Sequence, residues 1–340
     1  PVGVVAAISP YNFPFFLNIG KVVPALVVGC TVVLKPSPYT PMQALILGEI
    51  ADEVGLPKGV LSIVTGDIEA GKLLTTDPRV DLVHFTGSDK VGEMIQAQGA
   101  PTLKRIVMEL GGKSALIVRA DANIQEAAAA ALGGFTVHCG QGCALTTRHL
   151  VHNSVRPQFV ATLQAMLGHL KIGNPADPSV NYGPLIRAVA RERTERYVQI
   201  AQDEGATLVA GGKRPDGLDK GFYFQPTLFD NVRNDSRLAQ EEVFGPIGAV
   251  IGFDDDDEAI ALANASDFGL SGAICSADAG RAFEMALRIR TGSVSINGGG
   301  GTMLSDAPFG GIKRSGYGRE YGEDGLNEFT YQKVISFHAA

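Results

Sequence analysis

The sequence predicts an α/β protein whose first part is a doubly wound parallel sheet. Short β-branched runs alternate with amphipathic stretches of helical length through the first third of the chain. Each of these runs from the second onward closes on a glycine- or proline-containing turn, such as Lys35-Pro-Ser-Pro38 or Thr86-Gly-Ser88. The composition, 45% hydrophobic and 19% charged over 340 residues, suits a globular protein with a substantial core and two or three domains.

In chain order, Val2 to Ile8 reads as a strand and Phe13 to Val28 as a helix interrupted at Pro24. Thr31 to Leu34 is the next strand. Thr40 is expected to cap a helix that has Pro41 at its first position and ends near Val54. Strands follow at Val60 to Val64, Val80 to Phe85 and Leu103 to Met108, with helices from about Asp67 and near Lys90. In such sheets ligands bind beyond the carboxyl ends of the strands, so Ser9 to Asn12, Lys35, Gly66, Gly87, Ser88 and Glu109 should converge. Ala115 to Val118 opens a second α/β unit. It continues through an Ala-rich segment (Glu126 to Phe135), a strand at Leu150 to His152 and helices over Arg156 to Leu170 and Ala188 to Glu204. Strand-like pieces recur at Thr207 to Val209 and Ile247 to Phe253. The acidic run Asp254 to Asp257 reads as a solvated helix start that complements the macrodipole.

A net charge of −7 without basic clusters argues against nucleic acid and anionic membrane surfaces as partners. The longest apolar run, Val22 to Leu34, is broken by Pro24, Gly29 and Thr31 and is too interrupted to span a bilayer. Four scattered cysteines (Cys30, Cys139, Cys143, Cys275) form no disulfide framework and suit a reducing cytosol, so a cytoplasmic location is expected. No signal peptide is visible, and the absence of an initiator methionine before a core strand reads as a missing N-terminal segment.

Cys143 stands out. It follows Gly140-Gln-Gly142, where backbone amides can face a bound oxygen and no bulky neighbour blocks approach, as a thiolate nucleophile requires. The alternative is a buried cysteine packing as a small hydrophobe. His138, Cys139, Cys143 and His149 fit no common zinc spacing, and no metal is assigned.

Seven motifs occur in register: Pro10-Tyr-Asn-Phe-Pro14, Leu34-Lys-Pro-Ser37, Phe85-Thr-Gly-Ser88, Met108-Glu-Leu-Gly-Gly-Lys113, Gly140-Gln-Gly-Cys143, Glu241-Glu-Val-Phe-Gly-Pro246 and Pro308-Phe-Gly-Gly311. Their order and spacing resemble the NAD(P)-dependent aldehyde dehydrogenase superfamily, in its hydrolytic branch. The resemblance implies a Rossmann-like cofactor domain over residues 1–112 and an α/β catalytic domain over 113–312. A return segment over 313–327 and an oligomerisation strand over 328–340 would follow, with a homodimer or homotetramer for the full-length protein. It implies oxidation of an aldehyde to the carboxylic acid through a thiohemiacetal and a thioester on Cys143. Asn12 and the Cys143 backbone amide would hold the oxyanion, and Glu109 would activate the hydrolytic water. Members that pass the acyl group to coenzyme A usually lack that carboxylate, so Glu109 favours a free acid.

The cofactor would be NAD or NADP, with NAD favoured. Lys35 matches the adenosine-ribose contact, Glu242 the nicotinamide-ribose contact, Phe244 the nicotinamide neighbour and Ser88 the pyrophosphate contact at a helix start. Gly66 and Gly71 flank the preceding phosphate turn, and Ile8, Ser9, Pro10, Tyr11, Ser37, Phe85, Gly87 and Leu110 complete the implied cofactor set. The usual Gly-x-Gly-x-x-Gly fingerprint is absent. Pro38 stands three residues after Lys35, where NAD-preferring members often carry a glutamate, which leaves a 2′-phosphate unopposed. Other departures are Tyr11 in place of a more frequent tryptophan, His138 where asparagine is common, and Cys139 for a small residue. Cys139 is expected to be structural, with oxidative pairing to Cys143 as the alternative.

Phe13, Phe16, Leu17, Gly142, Ala144 and Phe309 are the implied pocket lining. No arginine among them could clamp a distal carboxylate, and Arg148 is expected to brace the loop. An uncharged aliphatic or aromatic aldehyde is the expected substrate, with a carboxylated semialdehyde as the alternative.

Overall fold

The structure, a computed structural model, describes residues 1–301 and 303–338. Its chain forms two compact units, one of residues 1–110, 303–310 and 316–340 and one of 111–302 and 311–315. The first boundary lies two residues before the expected one. At the C-terminal end the chain alternates between units, because Gly316–Tyr317 adds to the first sheet while Ile312–Lys313 pairs with Phe268–Gly269 of the second unit.

In the first unit, β1 (Val4–Ile8), α1 (Pro14–Val27), β2 (Thr31–Lys35), α2 (Met42–Glu53), β3 (Leu61–Ile63) and α3 (Ile68–Thr76) come first. Then follow β4 (Leu82–Thr86), α4 (Asp89–Gly99) and β5 (Arg105–Glu109). The parallel order β5-β4-β1-β2-β3 reverses direction between β1 and β4, and in such sheets that switch point is where a ligand crevice opens. The strand residues are almost all apolar because both sheet faces are covered.

Two local expectations are corrected. Helix α1 is not interrupted at Pro24: it runs through to Val27, held by burial of Leu17, Val22 and Ala25. Thr40 does not cap α2. Its amide donates to Ser37 O in the turn after β2, its hydroxyl makes no hydrogen bond, and Pro41 takes the N-cap position. Asp67 and Ser88 do cap α3 and α4 through their side chains.

The second unit contains β6 (Ala115–Val118), α5 (Ile124–Thr136), β7 (Arg148–His152), α6 (Arg156–Gly168), α7 (Ala188–Asp203), β8 (Thr207–Ala210) and β9 (Thr227–Asp230). A short α8 (Arg237–Gln240), β10 (Ile247–Phe253), α9 (Asp256–Asn264), β11 (Phe268–Gly269), β12 (Gly272–Cys275), α10 (Ala279–Ala286) and β13 (Ser295–Ile296) complete it, with β14 (Ile312–Lys313). Its seven-stranded sheet runs β13-β12-β6-β7-β10-β9-β8, parallel except at β8. The acidic run starts α9, with Asp255 as N-cap. Arg148, expected to brace the Cys143 loop, instead braces the interior: it is buried and donates to the carbonyls of Lys113, Leu262 and Ala263 and to Asn234.

In the first unit, β15 (Gly316–Tyr317) pairs antiparallel with β5, and α11 (Gly322–Asn327) follows. Residues 330–338 adopt neither helix nor strand, and Tyr331, Val334, Ile335 and Phe337 are exposed. The expected C-terminal strand therefore has no ladder partner among the described residues, and its last two residues, 339 and 340, lie outside them.

His149 is fully buried between Phe135 and Phe159, with neither ring nitrogen hydrogen-bonded. Burial, aided by Lys113, pushes its pKa down to about 3. The unfolded chain then takes up a proton near pH 6.5 that the folded chain refuses, so stability is lost as pH falls from about 6.5 toward 3. His149→Leu is expected to raise the thermal midpoint more at pH 5 than at pH 8. Equal shifts at the two pH values would contradict this.

Candidate active site

Glu109 ends β5 and is 2% exposed, with both carboxylate oxygens lacking a hydrogen-bond partner among the described residues. Burial pushes its carboxyl well above the usual range, the Glu320 carboxylate adds to the rise, and Lys21 and Arg319 oppose it. Glycine at 310 leaves room for the group: a Cβ there would lie 2.7 Å from Glu109 Oε1. Beside it is a buried polar cluster. Lys21 donates to Glu320 and, at 2.6 Å, to the Thr86 hydroxyl, and His84 Nε2 lies 2.9 Å from Glu320 Oε1. Burial alone would raise Glu320, but Lys21 and His84 hold it down to about 2, while burial and Lys21 push His84 down to about 4. Glu320 therefore carries the negative charge near neutrality, and Glu109 is the carboxyl that resists ionisation.

Nothing in the sequence reading anticipated Lys21, His84 or Glu320. Glu320 is about 200 residues from Glu109 in the chain, and Lys21 reads as one cation in an apolar helix. The pairing of Gly316 with Glu109 and the antiparallel bridge between Phe309 and Glu320 bring that carboxylate in, and the bridge places buried Phe309 there as well.

The switch-point end of the first sheet gathers the other predicted groups. Ser9 follows β1, its amide donating to Lys35 O and its hydroxyl to Asn18 Oδ1. Asn12 is buried and its Oδ1 makes no hydrogen bond, an amide oxygen the fold itself does not use. Tyr11 meets Tyr39 edge to face at 6.2 Å. Lys35 is buried at the end of β2 and its Nζ reaches Pro36 O at 3.3 Å, with Gly71 of α3 against its stem. Burial lowers its pKa and the Asp67 carboxylate opposes the drop. Gly66 stands at the entry to α3, where a Cβ would strike Ala70, and Gly87 crosses above the Phe85 ring, where a Cβ would lie 2.3 Å away. Ser88 Oγ accepts from Val91 N, and Ser37 Oγ accepts from Tyr39 N. Ile8 and Leu110 are buried in one apolar cluster with Phe85, and Pro10 is half-buried. Of the predicted lining, Phe13 precedes α1, Phe16 is largely exposed against Tyr321, and Leu17 is buried.

In the second unit Cys143 is partly exposed, the other three cysteines being buried. It leaves a turn in which His138, Cys139 and Gly140 have φ of 48°, 55° and 73°. For the two non-glycine residues that conformation costs about 1–2 kcal/mol each. Gly140 presses on Gly245, where a Cβ would lie 2.2 Å from the carbonyl oxygen, and Gly142 lies against Leu145. Ala144 is buried beside Gly301. The cofactor-matched Glu242 accepts from Gly112 N at 2.9 Å, and a Cβ on Gly112 would lie 2.3 Å from Cys143 O. Glu242 and the Cys143 loop thus press on the same glycine pair. Phe244 (φ 51°) is held by Arg193, which donates to its carbonyl at 3.2 Å, and Glu241 is clamped by Arg237 and Tyr197. No group of His, Cys, Asp and Glu suited to a metal ion occurs among the described residues.

The sequence matches the model of the aldehyde dehydrogenase family over residues 1–335. The chain belongs to the aldehyde dehydrogenase family. It is accordingly an oxidoreductase of that class. An aldehyde dehydrogenase of Mycobacterium tuberculosis, solved with NAD+, superposes with a TM-score of 0.96 at 45% identity, covering 98% of this chain and 68% of that one. A betaine aldehyde dehydrogenase of Rhizobium leguminosarum is 41% identical over 98% of this chain and 69% of its own length. Aldehyde dehydrogenase C of Pseudomonas syringae, a mutant solved with NAD+ and octanal, gives a TM-score of 0.94 at 37% identity, covering 97% of this chain and 68% of that one. No described helix of this aldehyde dehydrogenase is long and apolar enough to cross a membrane.

Because the folded Glu109 carboxyl resists ionisation, the unfolded chain loses its proton first as pH rises, and stability is lost from about pH 4 up to the folded pKa. Glu109→Gln removes that loss. Its thermal midpoint is expected to exceed the parent's at pH 8 and to converge on it near pH 4. A constant difference across that range would contradict the assignment.

Proposed function

We propose that this aldehyde dehydrogenase oxidises an uncharged aliphatic or aromatic aldehyde to the free acid with NAD+. The observation that carries the reading is Glu109, a buried carboxyl with two unpartnered oxygens and an elevated pKa. Such a group is costly to the fold and suits a general base working near neutral pH.

The thiolate of Cys143 adds to the aldehyde carbon and forms a thiohemiacetal. The Cys143 amide and the Asn12 side chain hold the developing oxyanion, each donor being worth roughly 10²–10³ in turnover. NAD+, when bound, would supply the acceptor for the hydride that leaves this carbon, and Cys143 would then keep the acyl group as a thioester. Glu109 then takes a proton from water, whose oxygen attacks the thioester, and Cys143 leaves as thiolate.

Lys35, Ser88 and the glycines at 66 and 87 would hold the cofactor, and Glu242 and Phe244 are its further matched candidates. Backbone left bare at Gly66 and Gly87 and the start of α4 at the sheet's switch point fit a pyrophosphate. The Asp67 carboxylate that acts on Lys35 opposes a 2′-phosphate and supports NAD+ over NADP+. The apolar or small character of Phe13, Phe16, Ala144 and Phe309, together with the octanal complex of the Pseudomonas relative, supports the uncharged substrate.

Turnover should be measured with NAD+ and NADP+ on octanal, benzaldehyde and succinic semialdehyde. Octanal or benzaldehyde with NAD+ is expected to lead, and a strong preference for succinic semialdehyde would overturn the substrate assignment. Cys143→Ala should abolish turnover. Glu109→Gln should give one equivalent of NADH in a burst, followed by steady turnover reduced about 10²–10⁴-fold. Parent-like steady turnover in Glu109→Gln would remove it as the base. With the parent, kcat should climb with pH on a limb lying above the ordinary carboxylate range.

A further inference from the structure

The turn ahead of Cys143 is held in an unfavourable backbone conformation, and the groups that hold it are identifiable. His138, Cys139 and Gly140 lie consecutively in the left-handed region, at φ/ψ of 48°/34° and 55°/39° for the first two. A side chain other than glycine keeps that conformation only where its surroundings impose it.

Here they do so through two side chains. Cys139 is buried and its thiol donates to Gly183 O at 3.1 Å. Gln141 is buried and bridges: its Nε2 donates to His138 O at 3.0 Å, while its Oε1 accepts from Ile186 N at 3.2 Å. The turn is closed by Gln141 N donating to the same His138 carbonyl. Opposite these bonds Gly140 abuts the Gly245 carbonyl, so the turn cannot relax in that direction. Segment 183–186 thus acts as a fixed rail to which the turn is bolted twice. Burial also pushes the Cys139 thiol up to about 11, so it stays protonated and able to donate.

We propose that Cys139 and Gln141 are positioning residues which, bonded to the 183–186 segment, lock the left-handed turn that presents the Cys143 thiol. Cys139 is then a bolt and not a redox partner of Cys143. The inference rests on Cys143 being the nucleophile.

The test uses the full chain and four variants, Cys139→Ala, Cys139→Ser, Gln141→Leu and Gln141→Glu, with Cys143→Ala as reference. Four quantities are read: kcat, aldehyde KM, the rate of Cys143 alkylation by iodoacetamide followed by peptide mass spectrometry, and the thermal midpoint. Misplacing a reacting group by about 1 Å can cost about 10²-fold. Cys139→Ala is therefore expected to lower kcat about 10- to 100-fold and to slow Cys143 alkylation, with KM within about twofold. Cys139→Ser keeps a donor toward Gly183 O and should recover most of both. Gln141→Glu keeps the acceptor for Ile186 N but not the donor to His138 O, and should fall between the parent and Gln141→Leu. Parent-like kcat and alkylation in Cys139→Ala, or failure of serine to recover them, overturns the proposal. If Gln141→Leu does not fold, the two Cys139 variants and Gln141→Glu still decide it. Turnover surviving in Cys143→Ala would instead sink the nucleophile assignment, a result separate from the others.

Discussion

The desolvation of Glu109 is the constraint on which the chemistry proposed for this chain depends. A carboxyl at the end of a parallel strand would normally find water or a cation. Here Lys21, the cation that acts on it most strongly, is already bonded to Glu320, and the Glu109 oxygens find no donor among the described residues. Two buried carboxyls near one lysine cannot both ionise cheaply, so one stays charged and the other is left poised. An acceptor committed to a hydrogen bond is a poorer base, so the unpartnered carboxyl fits the role proposed for Glu109.

The second unit shows the same trade on the backbone. Conformational strain at His138 and Cys139 is offset by hydrogen bonds to a neighbouring segment and by close backbone contact with Gly245. Gly140 permits that contact and Gly112 a close approach to the Cys143 carbonyl: a methyl group at either would overlap a carbonyl oxygen. The Cys143 loop, Glu242 and the Phe244 turn are thereby assembled on one framework, and the glycines of the Gly-Gly-Lys and Gly-Gln-Gly motifs have steric reasons to be there.

Helix starts and strand ends were largely legible in the sequence because they depend on local chemistry. Asp67, Ser88 and Asp255 cap the helices they precede, and Ile247 to Phe253 is a strand as its apolar run suggests. Where local rules failed, packing had overruled them. Pro24 sits inside α1 because the buried face of that helix outweighs one lost hydrogen bond, and Thr40 is drawn into a turn instead of a cap. The residues that tune Glu109 were invisible, since Lys21, His84 and Glu320 belong to three distant segments with no shared pattern.

By itself the sequence determined the class of the protein and supplied the candidates for its reactive groups. Cys143, Glu109 and Asn12 sit in short motifs whose spacing is a property of the chain. It also determined the order of strands and helices, through periodicities of a few residues. Tertiary structure alone decided the protonation of Glu109 and the shape of the Cys143 turn. Both depend on which distant atoms stand within a few ångströms, and on water being excluded there, and neither quantity is written in any local stretch of residues.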